Sequence, residues 1–335
     1  MAFNNFVSVQ DVLLLLRRIG EGRLGRLLSK ITKSGRARVR SAWHHTTSQS
    51  IAWYDLPAVQ RRRNVLISGD ADVDHYRYFA DKYLAGGQRL GLSLGCGTGA
   101  IEMRWAETGR FRRIDAYDLS ESRIEAARSR AQQRGYGHIL NFQVADVFTI
   151  PFDENSYDVV ITEGSLHHFS PVEDIVLKIK RILKPDGYYV LNEFVGPTRF
   201  QWTGRQLDVM NALLSIFPAH YRRRQSDGRI KARCYRPSLL RMILNDPSEA
   251  VESSRILPLV EQHFELLELR EVGETLLQAL LNDIAHNFLG DGQDKARELE
   301  ARELLQLCFD VEGFLLKTGD IRSDFVVAIC CPKTV

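Results

Sequence analysis

The chain has 335 residues, of which 44% are apolar and 26% charged, with a formal net charge of +3; this is ordinary for a globular protein with a sizeable core, in one large domain or two modest ones. No apolar run approaches the roughly 18 residues of a membrane span, so a cytoplasmic protein is expected. The five cysteines, Cys96, Cys234, Cys308, Cys330 and Cys331, lack Cys-x-x-Cys or Cys/His spacing and suggest neither a disulfide framework nor a metal site.

Charge is uneven along the chain. Residues 1–40 hold nine Lys/Arg against Asp11 and Glu21, a local +7 that leaves −4 for the remainder. Within them, Val9, Val12, Leu13, Leu16, Ile19, Leu24, Leu27, Leu28 and Ile31 fall close to helical spacing, with arginines between them. This basic amphipathic segment is read as a helix packed on the core or on a second subunit of a homodimer. Attraction to an anionic membrane surface or to nucleic acid is the alternative. A polar linker, 36–47, follows, and then two helices, about 51–66 and 73–84.

The next stretch carries the strongest local signal. Leu92-Ser93-Leu94 reads as the end of a strand, Gly95-Cys96-Gly97-Thr98-Gly99 as a tight turn and Ile101 to Ala106 as a helix. Glycines in that place let the backbone turn sharply and present N–H groups at a helix N-terminus. Alone, such a loop is weak evidence, because a purely structural turn looks the same. Downstream, Ile114 to Asp118 reads as a second strand ending in an acid, placed to accept hydrogen bonds from ribose hydroxyls. Asn141 to Asp146 repeats the pattern. Tyr157 to Thr162 gives a buried strand, a helix spans about 171–183, and Leu183-Lys184-Pro185-Asp186-Gly187 gives a helix stop and a turn before a fifth strand at 187–194.

These ordered segments resemble the motifs of class I S-adenosylmethionine-dependent methyltransferases, over roughly residues 86–195. A longer stretch, from Ser68-Gly69-Asp70 through 196–202 to 246–251, is similar to bacterial methyltransferases associated with glycan and secondary-metabolite pathways. The resemblance implies a doubly wound, Rossmann-like α/β fold with a seven-stranded, mostly parallel sheet, N-terminal helices, and helical insertions after strands 5 and 6. Residues 1–85 would form a helical region and cofactor cap, with Ser68 or Tyr76 near the cofactor. Residues 86–335 would form the core, interrupted by insertions at 196–262 and 272–323. S-adenosylmethionine would be held by Ser93, Gly95, Cys96, Gly97, Gly99, Asp118, Leu119, Asp146, Val147 and Glu163. Ser93 is a departure, since members usually carry an acid there.

Beyond residue 195 the alternation lapses. Gly204 to Phe217 is helical in period, Arg222 to Arg233 is a basic loop, and Pro237 to Leu244 and Pro258 to Phe264 read as short helices. A sixth strand, Glu265 to Arg270, precedes two helices at about 274–289 and 294–316, and Asp324 to Cys330 is the last strand.

Methyl transfer from a sulfonium asks the protein mainly to position the acceptor and exclude water, and a base helps when the acceptor is a hydroxyl. Candidates directly after the fourth strand are Glu163, His167 and His168, any of which could instead only shape the pocket or, for Glu163, meet the methionine amine. Arg199 and Trp202 are candidates for clamping and stacking on the acceptor, or for anchoring the insertions. The cluster from Arg222 to Arg236 would suit a phosphate-bearing acceptor, although a charge run is commonly a solvated loop. The expected activity is methyl transfer to a hydroxyl oxygen of a small molecule or glycan. An RNA methyltransferase and a non-catalytic partner protein of the same fold are the alternatives.

Overall fold

The structure is a computed structural model that describes residues 51–290 and 294–333. The amphipathic segment at 9–32, the linker at 36–47 and the dimer reading tied to them lie outside the described residues.

Seven strands form one sheet: β1 (Arg89–Leu94), β2 (Phe111–Asp118), β3 (Leu140–Val144), β4 (Tyr157–Glu163), β5 (Leu183–Phe194), β6 (Phe264–Gly273) and β7 (Phe325–Pro332). Their order is β3-β2-β1-β4-β5-β7-β6. The first five are parallel, and β7 runs antiparallel between β5 and β6. The expected seven-stranded, mostly parallel α/β architecture is the one observed. Chain order reverses between β1 and β4, which opens a crevice at their carboxyl ends.

The central strands are apolar on both faces because helices cover both. Leu92, Leu94, Val160, Tyr189 and Leu191 meet α5 (Val172–Ile182) and α8 (Ser253–His263) on one side. α5 offers Val172, Ile175, Val176, Ile179 and Ile182, a stripe at helical spacing. On the other side Ala116, Val159, Ile161 and Val190 pack under α2 (His75–Tyr83), α3 (Ala100–Glu107) and α4 (Glu121–Gln133), with Phe79, Trp105 and Ile124 at the centre. A third cluster belongs to the insertions: α6 (Gly204–Ile216), α9 (Leu277–Leu281) and α10 (Lys295–Lys317) bury Met210, Leu213, Leu280, Leu305 and Cys308 together with Leu56.

The remaining α-helices among the described residues are α1 (Pro57–Ser68) and α7 (Leu239–Asn245). Buried ion pairs seat α1: Arg62 donates to Glu312 at 2.6 Å, and Arg63 to Glu274 at 2.8 Å and to the Asn192 amide of β5.

Three segments differ from the sequence reading. The fifth strand begins at Leu183: this residue pairs with Tyr157 and Tyr188 with Val159, so Lys184 to Gly187 bulge out of the ladder within the strand. α8 begins at Ser253, so Pro258 lies inside it at the loss of one helical hydrogen bond, where the reading placed a helix start. The single helix expected over 274–289 is two pieces, α9 and a 3-10 turn at Ala285–Phe288, because the Lys231 ammonium takes the carbonyls of Ala279, Leu280 and Asn282 and Asp283 adopts φ 67°.

Asp324, just before β7, ties the sheet to α6 through the Gln206 amide. Burial, with Glu312 nearby, pushes its carboxyl up to about 8. An acid whose folded value is raised binds its proton more tightly when folded, so its contribution to stability falls as pH rises from about 4 to about 8. Asp324→Asn is expected to flatten that dependence. Thermal unfolding at pH 5 and pH 9 checks this: the drop in Tm between them should be smaller in the variant than in the parent.

Candidate functional site

A cavity of about 710 Å³ opens at the carboxyl ends of β1, β2, β3 and β4. The glycine turn forms one wall. Gly95 and Cys96 donate their N–H groups to Tyr117 O at 2.8 and 3.0 Å, which folds the turn back over the end of β2. Asp118 then fixes it: one carboxylate oxygen accepts from Gly97 N at 3.0 Å and the other from Ser120 N at 2.8 Å. Gly95, Gly97 and Gly99 all have positive φ, 81°, 54° and 77°. They differ in surroundings. A Cβ at Gly95 would lie 2.6 Å from Ser165 Cβ and one at Gly99 2.7 Å from the Phe142 ring, whereas at Gly97 the nearest atom would be an Arg123 nitrogen at 3.7 Å. Gly95 and Gly99 therefore permit packing, and Gly97 faces the cavity.

Ser93 lies behind the turn and donates to Glu102 Oε1 of α3 at 2.6 Å. Glu102 is wholly buried, which pushes its carboxyl up to about 7, and its Oε2 has no hydrogen-bond partner. The strand that lacks an acid at position 93 thus has one joined to it from the next helix. Burial also pushes the Cys96 thiol well up, leaving it a small neutral side chain.

The opposite wall is the β3 and β4 side. Asp146 accepts from Phe148 N at 3.0 Å, and Lys178 of α5 grips the carbonyls of Val147, Phe148 and Ile150, holding this loop over the cavity. Glu163, at the end of β4, receives Trp105 Nε1 at 2.7 Å, His75 Nε2 at 2.9 Å, Asn192 Nδ2 at 3.1 Å and the Tyr76 hydroxyl at 3.3 Å. Burial works to raise its carboxyl, but the charge of His75 and these hydrogen bonds outweigh it and hold it below the ordinary value.

Past Glu163 the loop is ruled by Glu193 of β5. This buried carboxylate accepts Ser165 N at 2.9 Å, Leu166 N at 2.7 Å and His167 Nδ1 at 2.8 Å. Desolvation lowers the His167 imidazole, yet the Glu193 contact prevails and raises it above its ordinary value; burial and the neighbouring His167 and Arg123 push His168 well below. His168 lines the cavity with Ser165, Phe169, Ser248 and Val251.

Of the residues singled out in the sequence, Gly95, Cys96, Gly97, Asp118, Leu119, Asp146, Val147, Glu163 and His168 line the cavity; Ser93, Gly99, His167, Arg199 and Trp202 do not. Arg199 directs its guanidinium to the carbonyls of Asp246, Pro247 and Glu249 and its N–H to Ala250 O, so it shapes the 246–251 segment from behind. Trp202 is buried and stacks on Phe200 at 5.5 Å, within the insertion core. In the basic stretch, Lys231 caps α9 and Arg236 donates to Trp202 O at 2.7 Å. Ser68 closes a turn through three backbone carbonyls, and Tyr76 stops at Glu163; among the described residues before β1, Tyr54 reaches the cavity. The sequence reading missed Tyr54, Arg123, Lys178, Ser248 and Val251. Only Lys178 carried a local signal, as a cation beside the apolar stripe of α5.

The glycines give a sharp test. Left-handed backbone costs a non-glycine residue about 1–2 kcal/mol, so Gly97→Ala is expected to lower unfolding stability by about that much. Gly95→Ala adds the contact with Ser165 and should cost more. Urea unfolding of both variants reads the difference; equal losses would contradict this geometry.

Residues 92–191 match the family described as methyltransferase domain. The 27-O-demethylrifamycin SV methyltransferase of Amycolatopsis mediterranei is 32% identical over 112 residues, 33% of this chain and 40% of that protein. A ubiquinone/menaquinone biosynthesis C-methyltransferase of Dinoroseobacter shibae is 32% identical over 107 residues, 32% and 42% of the two chains. The matched part of the chain thus spans about two fifths of the length of these relatives. The fold is shared with a geranyl diphosphate C-methyltransferase from Streptomyces coelicolor, solved with Mg2+, geranyl diphosphate and S-adenosyl-L-homocysteine: TM-score 0.51, 12% identity, covering 90% of this chain and 99% of that one. With the strand order, the glycine turn and the acid after β2, these matches place a class I methyltransferase domain, whose cofactor is S-adenosylmethionine, at the centre of this chain.

Proposed function

We propose that the protein transfers a methyl group from S-adenosylmethionine to a hydroxyl oxygen of a small molecule or glycan. The observation that carries this reading is the make-up of the cavity: a glycine turn and Asp118 on one side, and His168 with Ser248 on the other.

The residues present fit the cofactor. Gly97 leaves space where a side chain would intrude, the Asp118 carboxylate keeps accepting capacity for ribose hydroxyls, and Leu119, Val147 and Phe148 give the nucleobase apolar walls beside Asp146. Ser93 and Gly99 would act from behind, by setting the turn. When bound, S-adenosylmethionine supplies an electrophilic methyl group on a positively charged sulfur. The protein's share is then to orient the acceptor and keep water out. Tyr54, Phe169, Pro247 and Val251 would form the wall that excludes water. Glu163, saturated by four donors, is suited to anchoring α2 and α3 at the cavity rather than to taking a proton. The acceptor's hydroxyl would lie against the group formed by His167, His168 and Glu249.

Oxygen is the acceptor atom in the names of two relatives, the rifamycin enzyme above and the erythromycin 3''-O-methyltransferase of Saccharopolyspora erythraea, 29% identical over 104 residues, 34% of that protein, while the Dinoroseobacter shibae relative is a C-methyltransferase; the choice of oxygen here rests on the histidine beside the cavity. The nucleic-acid reading loses support because Lys231 and Arg236, two cations of the basic stretch, are committed to backbone carbonyls.

Calorimetric titration with S-adenosylmethionine and S-adenosylhomocysteine tests the proposal. Micromolar binding, about 8 kcal/mol, is expected, with a loss of at least about tenfold in Asp118→Ala, each lost ribose hydrogen bond to a charged group being worth about 1.5–3 kcal/mol. Mass spectrometry of reactions with hydroxylated small molecules and glycosides should then show a methylated product from the parent and none from the variant. A folded parent that binds neither ligand would refute the reading.

A further inference from the structure

Three electron-pair donors meet beside the cavity. His167 and His168 stand side by side after β4, their ring centroids 4.2 Å apart, and the 246–251 segment brings Glu249 against both. His167 Nε2 lies 3.5 Å from Glu249 Oε1, and His168 Nε2 lies 4.0 Å from Glu249 Oε2. One ligand atom from each of the three residues lies within 4.8 Å of the others.

The opposite ring nitrogens decide what the Nε2 atoms carry. Glu193 is a buried carboxylate that accepts two backbone N–H groups, so in its 2.8 Å contact with His167 the ring Nδ1 is the donor. Ser248 Oγ gives its own hydrogen to Asp246 Oδ1 at 2.6 Å, so in its 3.2 Å contact with His168 the ring Nδ1 again donates. Each imidazole in its neutral form therefore turns a lone pair at Nε2 toward a carboxylate. A carboxylate or hydroxyl behind one ring nitrogen, with the lone pair of the other presented forward, is how metal-binding histidines are oriented.

We propose that His167, His168 and Glu249 form a binding site for a divalent transition-metal cation at the edge of the cavity. Two imidazoles and one carboxylate suit Zn2+, Co2+, Mn2+ or Fe2+ over Mg2+ and Ca2+, which take shells of oxygen. Bonds of about 2.0 Å place the ligands of a tetrahedral site about 3.3 Å apart, so three ligand atoms that lie within 4.8 Å of one another would draw together on binding through turns of the imidazole and carboxylate side chains. The backbone that carries Glu249 is held from behind by the Arg199 guanidinium. All three side chains keep some exposure, 12%, 12% and 26%, which leaves a coordination position for water or for an acceptor oxygen. The site deepens the methyl-transfer reading by naming what that oxygen would meet, and rests on that reading only there; binding of the cation is tested without it.

Tag-free protein stripped of metal with a chelator is titrated calorimetrically with ZnCl2, with CoCl2 under visible spectroscopy, and with MgCl2. One equivalent of Zn2+ per chain is expected, d–d bands from Co2+ in a nitrogen and oxygen shell, and no saturable binding of Mg2+. His168→Ala and Glu249→Ala, checked for folding by circular dichroism, should lose the equivalent, and Glu193→Gln, checked in the same way because Glu193 also accepts the Ser165 and Leu166 N–H groups, removes the charge behind His167 and should weaken it about 10- to 100-fold. A folded parent that takes up no Zn2+ or Co2+, or an equivalent that persists unchanged in His168→Ala and Glu249→Ala, overturns the assignment. S-adenosylhomocysteine titrated into the same samples reports separately on the methyl-transfer reading.

Discussion

A carboxyl group withdrawn from water has to be met by donors or to keep its proton, and this sheet places four along one edge. Asp118 ends β2, Glu163 ends β4, Glu193 stands one residue before the end of β5, and Asp324 precedes the antiparallel β7, whose start lies at the same edge. Burying an ionised carboxylate costs several kcal/mol unless hydrogen bonds offset it; Glu163 and Glu193 are fully withdrawn, Asp118 is half-buried, and Asp324 holds its proton up to about pH 8. The donors come from the loops and helices above: the glycine turn for Asp118, α2 and α3 for Glu163, the loop after β4 for Glu193, and α6 for Asp324. The surroundings of the cavity are in this sense the answer to a solvation problem posed by the strand ends.

The same logic reaches outward through second contacts. Glu193 orders the loop that carries His167, and Val251 donates its N–H to His167 O, which brings the insertion down onto that loop. Arg199 then donates to three carbonyls of the insertion's turn, those of Asp246, Pro247 and Glu249. Arg199 and Ala250 both sit at positive φ, 58° and 49°, a conformation that persists only where surrounding bonds over-determine it.

Most of the sheet was legible in the sequence because its signals are local. Apolar runs bounded by glycines, acids and an Asp-Gly turn mark β1 to β5 whatever the rest of the chain does. The cavity's glycine side was legible for the same reason, from Gly95 to Asp118. What escaped depends on contacts far apart along the chain. Glu249 meets His167 across about eighty residues, and no spacing rule connects them. Arg199 and Trp202 follow β5 at the right edge and carry suitable chemistry, but their surroundings, three carbonyls for one and Phe200 for the other, draw them away from the cavity. The single helix expected over 274–289 was sound as periodicity; the break comes from Lys231, a residue of a different segment that competes for its carbonyls.

The cavity wall is drawn from two kinds of chain. Gly95 to Ser170 belongs to the stretch of alternating strands and helices, while Tyr54 and Pro247 to Val251 come from segments outside that alternation. The second group meets the first through backbone and side chains alike: Val251 N–H donates to His167 O, and Ser248 and Glu249 reach His168 and His167. Substitution at Tyr54, Pro247 or Val251 would reshape what the cavity admits while leaving the glycine turn, held by Tyr117 O and the Asp118 carboxylate, as it is.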